Sequence, residues 1–281
     1  MVLSVRMSST VPADVPLDSS GDDRSIRRFR RYIFRVQQRL RCIRIASAAF
    51  LSCVPLFVAR RPKTPLRVLC IAAFEYLARL RGASLDDTHR LALAYACDFG
   101  ALRNDFYDQR ELNRHMYREL RHGLRRLAQE TATRRYIVEL RKTERARPVF
   151  GPDGFAETAS VLDYRFRVLV LSLAWLQIVS RRSIEPGIFQ ALVGLVGMIQ
   201  LVDDLLDWKD DWACRRPTCV TAFLRNWTGP SRESGLQIQL HANRFRGLLL
   251  ANRGLETVPL VLAGTLMWLL AIALTKIRFP R

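Results

Sequence analysis

Histidine and lysine are scarce in this chain, and strand-like alternation is missing from it. The 281 residues include 4 histidines, His89, His115, His122 and His241, and none stands at a metal-ligand spacing from another or from a cysteine. No serine, histidine and aspartate can be assigned to a nucleophilic triad, and no glycine-rich loop of the phosphate-cradling kind occurs. The 6 cysteines, Cys42, Cys53, Cys70, Cys97, Cys214 and Cys219, lack paired spacing, which points to reduced thiols in the cytoplasm. The N-terminus has no basic start, apolar core and small-residue cleavage site, so no secretory signal is read there. Lysine supplies only 4 of 45 basic residues, and the net charge of +19 is almost wholly arginine.

What the chain has is carboxylate at the ends of apolar helices. Residues 186–199 form an apolar run that Gln200-Leu201-Val202-Asp203-Asp204-Leu205-Leu206-Asp207 closes. At about 100° per residue, Gln200, Asp203, Asp207 and Asp210 fall on one face, with Asp204 and Asp211 at its edge. Carboxylates gathered beside a core must bind cations or protonate in part. Oxygen donors without Cys or His nearby suit a hard ion, Mg²⁺ ahead of Zn²⁺. Residues 91–108 repeat the arrangement and end in Asn104-Asp105-Phe106-Tyr107-Asp108. Asp98, Asp105 and Gln109 share a face there, with Asp108 about 60° away. Two such helices facing each other in a bundle would enclose a cavity with carboxylates on each wall and apolar turns below.

These two segments resemble the Asp-rich motifs of the class I isoprenoid synthases, in particular the trans-prenyl diphosphate synthases. The second motif of that family is Phe-Gln-x-x-Asp-Asp-x-x-Asp, and Ile199-Gln200-Leu201-Val202-Asp203-Asp204-Leu205-Leu206-Asp207 departs from it only at Ile199. The first is Asp-Asp-x-x-Asp followed four residues later by Arg-Arg; here Asn104 replaces the first acid, and Asn113-Arg114 stands at the later position. Arg60-Arg61-Pro62-Lys63-Thr64-Pro65-Leu66-Arg67 lies where the family carries a basic segment, and Arg215-Arg216-Pro217-Thr218 resembles the Gly-Lys/Arg-Pro-Thr that follows its second motif. The resemblance spans about residues 60–225.

The resemblance implies an all-α antiparallel helical bundle around a central apolar cavity, and a Mg²⁺-dependent enzyme that ionises an allylic prenyl diphosphate. A diphosphate leaving with about three negative charges must be stabilised as it departs, by Mg²⁺ held on carboxylates and by bidentate arginines. Asp105, Asp108, Asp203 and Asp207 would be the catalytic metal ligands, with Asn104 and Asp204 in the same ligand set and Asp98 beside it. Gln200, Arg114, Arg215 and Arg216 would bind the diphosphate. Phe99, Tyr95, Phe189 and Trp175 are candidates for an aromatic lining around the cation. Transfer of the prenyl cation to an isoprenoid acceptor is the favoured outcome. Terpene cyclisation and head-to-head condensation of the squalene or phytoene kind stay open, although no clear copy of the Asn, Ser, Glu triad of terpene cyclases is present. The Asn-Asp-x-x-Asp form also occurs in membrane-embedded aromatic prenyltransferases, which need many more spanning helices than this chain offers. A lipid-binding or scaffold protein that retains the fold without catalysis is the alternative from another class. Related synthases are often dimers, which leaves a homodimer open for this chain.

The remaining expectations are organisational. Residues 1–24 read as a disordered tail, residues 25–255 as the helical domain, and residues 256–281 as an apolar C-terminal helix. Residues 25–44 form a basic amphipathic helix, suited to an anionic membrane surface. Further helices are expected at 45–59, 65–81, 86–108, 110–130, 132–146, 154–181, 186–210, 231–252 and 257–278, separated by proline and glycine breaks. The loop 148–154 falls between the acidic helices, where a lid would sit. Residues 257–275 carry no charge and are followed by Lys276, Arg278 and Arg281; they serve either as the last bundle helix or as a membrane anchor with its basic end on the cytoplasmic side. Nucleic acid is not expected as a partner: no binding motif is present, and the acids lie where a groove would be.

Overall fold

The structure, a computed structural model, describes residues 22–58, 65–109, 112–151, 154–155, 157–224, 231–251 and 254–279. Nearly all of these are helical, as the 3.6-residue periodicity requires. Of the expected disordered tail, residues 1–21 lie outside the described residues, as do residues 59–64 of the basic segment and the Gly229-Pro230 break. The chain divides into two units, residues 1–38 and 39–281.

Helix α1 (Asp22–Val58) runs unbroken for 37 residues. The expected division near residue 45 does not occur, because no proline or glycine interrupts the run before Pro55. Within the first unit Arg28, Arg30, Arg31, Phe29, Tyr32 and Phe34 are all exposed. The second unit holds the core. Its helices are α2 (Pro65–Leu80), α3 (Asp87–Gln109), α4 (Arg114–Arg126), α5 (Glu130–Arg145), α6 (Thr158–Val179), α7 (Pro186–Ala213), α8 (Arg232–Ala251) and α9 (Val258–Arg278). Between α5 and α6 lies a small antiparallel hairpin, β1 (Phe150–Gly151) with β2 (Gly154–Phe155), in the register Phe150 opposite Phe155. It occupies the loop read as a lid.

Capping and turn chemistry set the breaks. Gly82 takes a left-handed φ of 74° after α2, Asn113 caps α4 by accepting from the Met116 N–H at 3.0 Å, and Pro186 opens α7 where a missing N–H costs nothing. Glu75, fully buried on α2, ties that helix to the start of α3: it accepts from Arg79 at 2.5 Å and from the Leu85 N–H at 2.9 Å, and Arg90 lies 3.5 Å away.

α7 is the central helix and packs against α2, α6, α8 and α9. Close approach to α8 depends on Gly194 and Gly197: a Cβ at Gly197 would stand 2.2 Å from the Phe245 ring, and one at Gly194 would stand 2.8 Å from the Phe245 carbonyl oxygen. Among the described residues two helices are long and apolar enough to cross a membrane, α7 and the segment Leu255–Arg278 that contains α9. The first is 72% buried over its apolar stretch and the second 22%, so α7 is a core helix and α9 keeps one side outside.

Candidate active site

α3 and α7 both end in acids, and both line one cavity of about 370 Å³. Helical periodicity gives each helix an apolar stretch and then an acidic one on the cavity side. On α3, Ala96, Gly100 and Ala101 precede Asn104, Asp105 and Asp108; on α7, Val196 and Ile199 precede Gln200, Asp203, Asp204, Asp207 and Asp211. α6 completes the apolar wall with Val168, Leu169, Trp175 and Leu176. Tyr136 of α5 stacks on Trp175 with ring centroids 4.1 Å apart and planes 10° apart, and its hydroxyl lies 3.4 Å from that of Ser172. Cys70 and Cys97 also line the wall, and the Cys97 thiol together with burial pushes the Cys70 thiol up.

Neither α3 nor α7 carries a basic residue in its last turn, so Asp108 and Asp211, which lie there, sit at the negative ends of two helix dipoles. Some of the cavity carboxylates are compensated by arginines from other elements. Arg147, just beyond α5, donates to Asp108 at 2.5 Å, and the Asn104 amide donates to the other Asp108 oxygen at 2.9 Å. Arg216 donates to Asp211 at 3.1 Å; burial, with Asp204 adding to it, raises the Asp211 carboxyl to about 7. Arg165, buried in α6, reaches Asp204 at 3.4 Å, and the Cys219 N–H donates to the other Asp204 oxygen at 2.7 Å. Among the described residues no ion pair reaches Asp105, Asp203 or Asp207. All three have exposed side chains at the cavity mouth. Surrounding protein still desolvates Asp203 and Asp105 and raises their pKa, with repulsion from Asp207 adding to the first and from Asp108 to the second.

The structure thus brings together Asn104, Asp105, Asp108, Gln200, Asp203, Asp204, Asp207 and Arg216 around one space. Asp204 differs from its neighbours, since its two oxygens are already held by a buried arginine and a backbone N–H. Arg114 and Arg215 do not line the cavity. Arg114 is the exposed first residue of α4, and Arg215 takes a left-handed φ of 55° that carries its guanidinium over the Phe150 ring, 6.0 Å from the centroid. Asp98 is buried off the cavity and pairs with Arg67 at 3.3 Å. Of the aromatic candidates Trp175 lines the space; Phe99 packs edge-on behind it at 6.0 Å, and Tyr95 and Phe189 lie elsewhere.

Three cavity residues were not singled out from the sequence for this role: Arg67, Arg165 and Tyr136. Arg165 left a trace, because it shares a helical face with Val168, Leu169, Ser172 and Leu176 in a largely apolar helix. Arg147 was also missed as a site element, and the loop 148–154, expected between the acidic helices, was not read as a hairpin. Phe150 of the hairpin packs against Trp212 of α7 at 5.0 Å, so the α5–α6 connection touches the acidic ends of both α3 and α7.

Among the described residues no three acids, cysteines or histidines stand close enough to hold an ion by themselves. The donors present suit a shared ion instead. Mg²⁺ is commonly bound through one or two carboxylates with phosphate oxygens and water completing the shell, and Asp105, Asp203 and Asp207 offer such oxygens across an open mouth. Compared with family models, curated proteins and solved structures, the chain matches none.

Proposed function

We propose that the protein is a Mg²⁺-dependent isoprenoid synthase that ionises an allylic prenyl diphosphate and transfers the prenyl cation to an isoprenoid acceptor. One observation carries this: three acids that no ion pair reaches among the described residues, on two helices, share a single cavity with a wall of small, aliphatic and stacked aromatic side chains. An amphiphile with a polyanionic head and an apolar tail fits that division of chemistry.

In this proposal Asp105, Asp203 and Asp207, with Asp108 once Arg147 releases it, hold Mg²⁺, which supplies Lewis-acid stabilisation of the departing diphosphate. Arg67 and Arg216 lie on the same cavity and bind the remaining phosphate oxygens. Arg165 positions Asp204 and through it the loop that bears Arg216. As the carbon–oxygen bond breaks, its electron pair leaves with the diphosphate. The allylic carbon then forms a bond to the double bond of the acceptor, and loss of a proton restores an alkene. The Tyr136–Trp175 stack gives the cation a π-rich, water-poor surface. That same stack favours a second outcome, cyclisation of the prenyl chain on itself. Such chemistry consumes and releases lipid-soluble chains, and we take the enzyme to act on the cytoplasmic side of a membrane.

The test is incubation of the purified protein with geranyl, farnesyl and geranylgeranyl diphosphates, with and without isopentenyl diphosphate, in Mg²⁺ or EDTA, followed by mass spectrometry of extracted products. Longer diphosphates formed only with isopentenyl diphosphate establish transfer. Hydrocarbons or alcohols from a single substrate establish cyclisation, and coupling of two prenyl chains establishes the head-to-head reaction. Absence of Mg²⁺-dependent pyrophosphate from every substrate would leave the scaffold alternative standing.

A further inference from the structure

α9 is neither buried like a core helix nor free to leave the bundle. Leu262, Leu266, Leu269, Leu270 and Ile277 are 51, 63, 52, 41 and 72% exposed, and their steps of three, four and seven residues put them on one face. The opposite face, with Leu260, Gly264, Ala271 and Thr275, is buried against α7 and α8. Gly264 is held so closely that an added Cβ would lie 2.3 Å from Leu249 Cδ1. To cross a bilayer as a separate span, α9 would have to abandon that packing.

The surroundings of the apolar stripe are cationic and amphipathic. Trp268 donates from its indole N–H to Asn243 of α8 at 2.9 Å and lies under the Arg246 guanidinium, 4.3 Å from the ring centroid. The last turn of α9 adds Lys276 and Arg278. A leucine face flanked by Lys276, with Trp268 and Arg246 at the junction of α9 with α8, matches the level of a bilayer where acyl chains meet headgroups. Charge selects among occupants: a second copy of a chain of net charge +19 would bring the same cationic edge to the contact, whereas anionic lipid brings the opposite sign.

We propose that the outer face of α9 seats the protein on anionic membrane, with the helix lying in the plane of the interface and not crossing it. None of the residues in this face lines the cavity, so the proposal stands or falls without any turnover.

Purified full-length protein is mixed with phosphatidylcholine vesicles with and without phosphatidylserine, and binding is read by co-sedimentation. Binding is expected to the phosphatidylserine vesicles, to be several-fold weaker without that lipid, and to be reversed by alkaline carbonate. The double variant Leu266→Glu, Leu270→Glu should bind at least about tenfold more weakly, while its circular dichroism melt stays unchanged because both side chains are exposed. Should that variant melt early, quenching by lipids brominated along their acyl chains gives an independent readout: wild-type tryptophan fluorescence should be quenched, and much less so in Trp268→Phe. Undiminished binding by the leucine variant, equal quenching in Trp268→Phe, or resistance to carbonate extraction would each overturn an in-plane seat on α9. So would a lipid-free dimer in the ultracentrifuge that the leucine variant converts to monomer, since a second copy would then cover the face.

Discussion

Asp203 carries its charge beside Asp207 on α7, where burial and repulsion from that neighbour raise its pKa. The free protein therefore gains little from this acid. Asp203→Asn and Asp105→Asn should each lower turnover by roughly 10²-fold or more. Their unfolding free energies in urea should stay level or rise, by less than about 1 kcal/mol; a large loss of stability in either would mean that the acid is structural. Arg165→Met is expected to behave in the opposite way, because it strands Asp204 in the core without its partner. A cost of about 3 to 5 kcal/mol in urea denaturation is predicted. His241 supplies a pH test. Its ring lies between Phe223 and Phe245 with centroids 6.0 and 4.8 Å away, neither nitrogen has a hydrogen-bond partner among the described residues, and burial, with Arg244 adding to it, lowers its pKa from 6.5 to about 4. The fold favours the neutral ring, so this group's contribution is complete above pH 6.5, declines as the pH falls toward 4, and is gone below that. The decline amounts to at most about 3 kcal/mol. His241→Phe should flatten that part of the stability profile relative to wild type; parallel profiles would show that the ring protonates freely in the folded protein. The acids were legible in the sequence because their spacing is local. Arg147 and Arg165 were not, since each meets its aspartate 39 positions away.

At the scale of elements, the α7–α8 contact depends on the absence of side chains. Gly197→Ala would drive a methyl group into the Phe245 ring, and about 1 to 3 kcal/mol of stability should be lost. Phe245→Leu in the same chain should recover part of that loss, which a simple helix-propensity effect would not allow. Gly247, on α8, has nothing within 4 Å of the position a Cβ would occupy. Gly247→Ala should accordingly stabilise by about 0.5 to 1 kcal/mol, through propensity alone. Thermal melts of the two alanine variants shifting the same way would contradict this packing. Helix type and approximate extent were readable from apolar periodicity along α2 to α9. What periodicity does not report is which small residue is a contact: Gly194 and Gly197 differ from Gly247 only through what faces them. The continuity of α1 and the two-residue strands β1 and β2 escaped for related reasons, the first because amphipathic character changes along a helix without breaking it, the second because strands so short carry no period.

At the scale of the whole molecule, a chain of net charge +19 keeps an acidic mouth on its interior cavity. Composition makes the excess of arginine plain, but only the fold decides which arginines face the acids. Anions will bind such a protein in many places, so affinity for pyrophosphate alone proves nothing about the cavity. The informative quantity is the increment that Mg²⁺ adds. A ligand that binds only the folded state at a hundred times its Kd stabilises by about 2.7 kcal/mol, which for a chain of this size is roughly 5 to 10 °C in Tm. Pyrophosphate with Mg²⁺ should raise the wild-type melting temperature by about that much beyond pyrophosphate with EDTA. In the double variant Asp105→Asn, Asp203→Asn the increment should disappear, while the Mg²⁺-independent rise from binding to surface arginines remains. Equal increments in both proteins would place the metal-dependent anion site away from α3 and α7, and the cavity would then have no claim to the chemistry proposed for it.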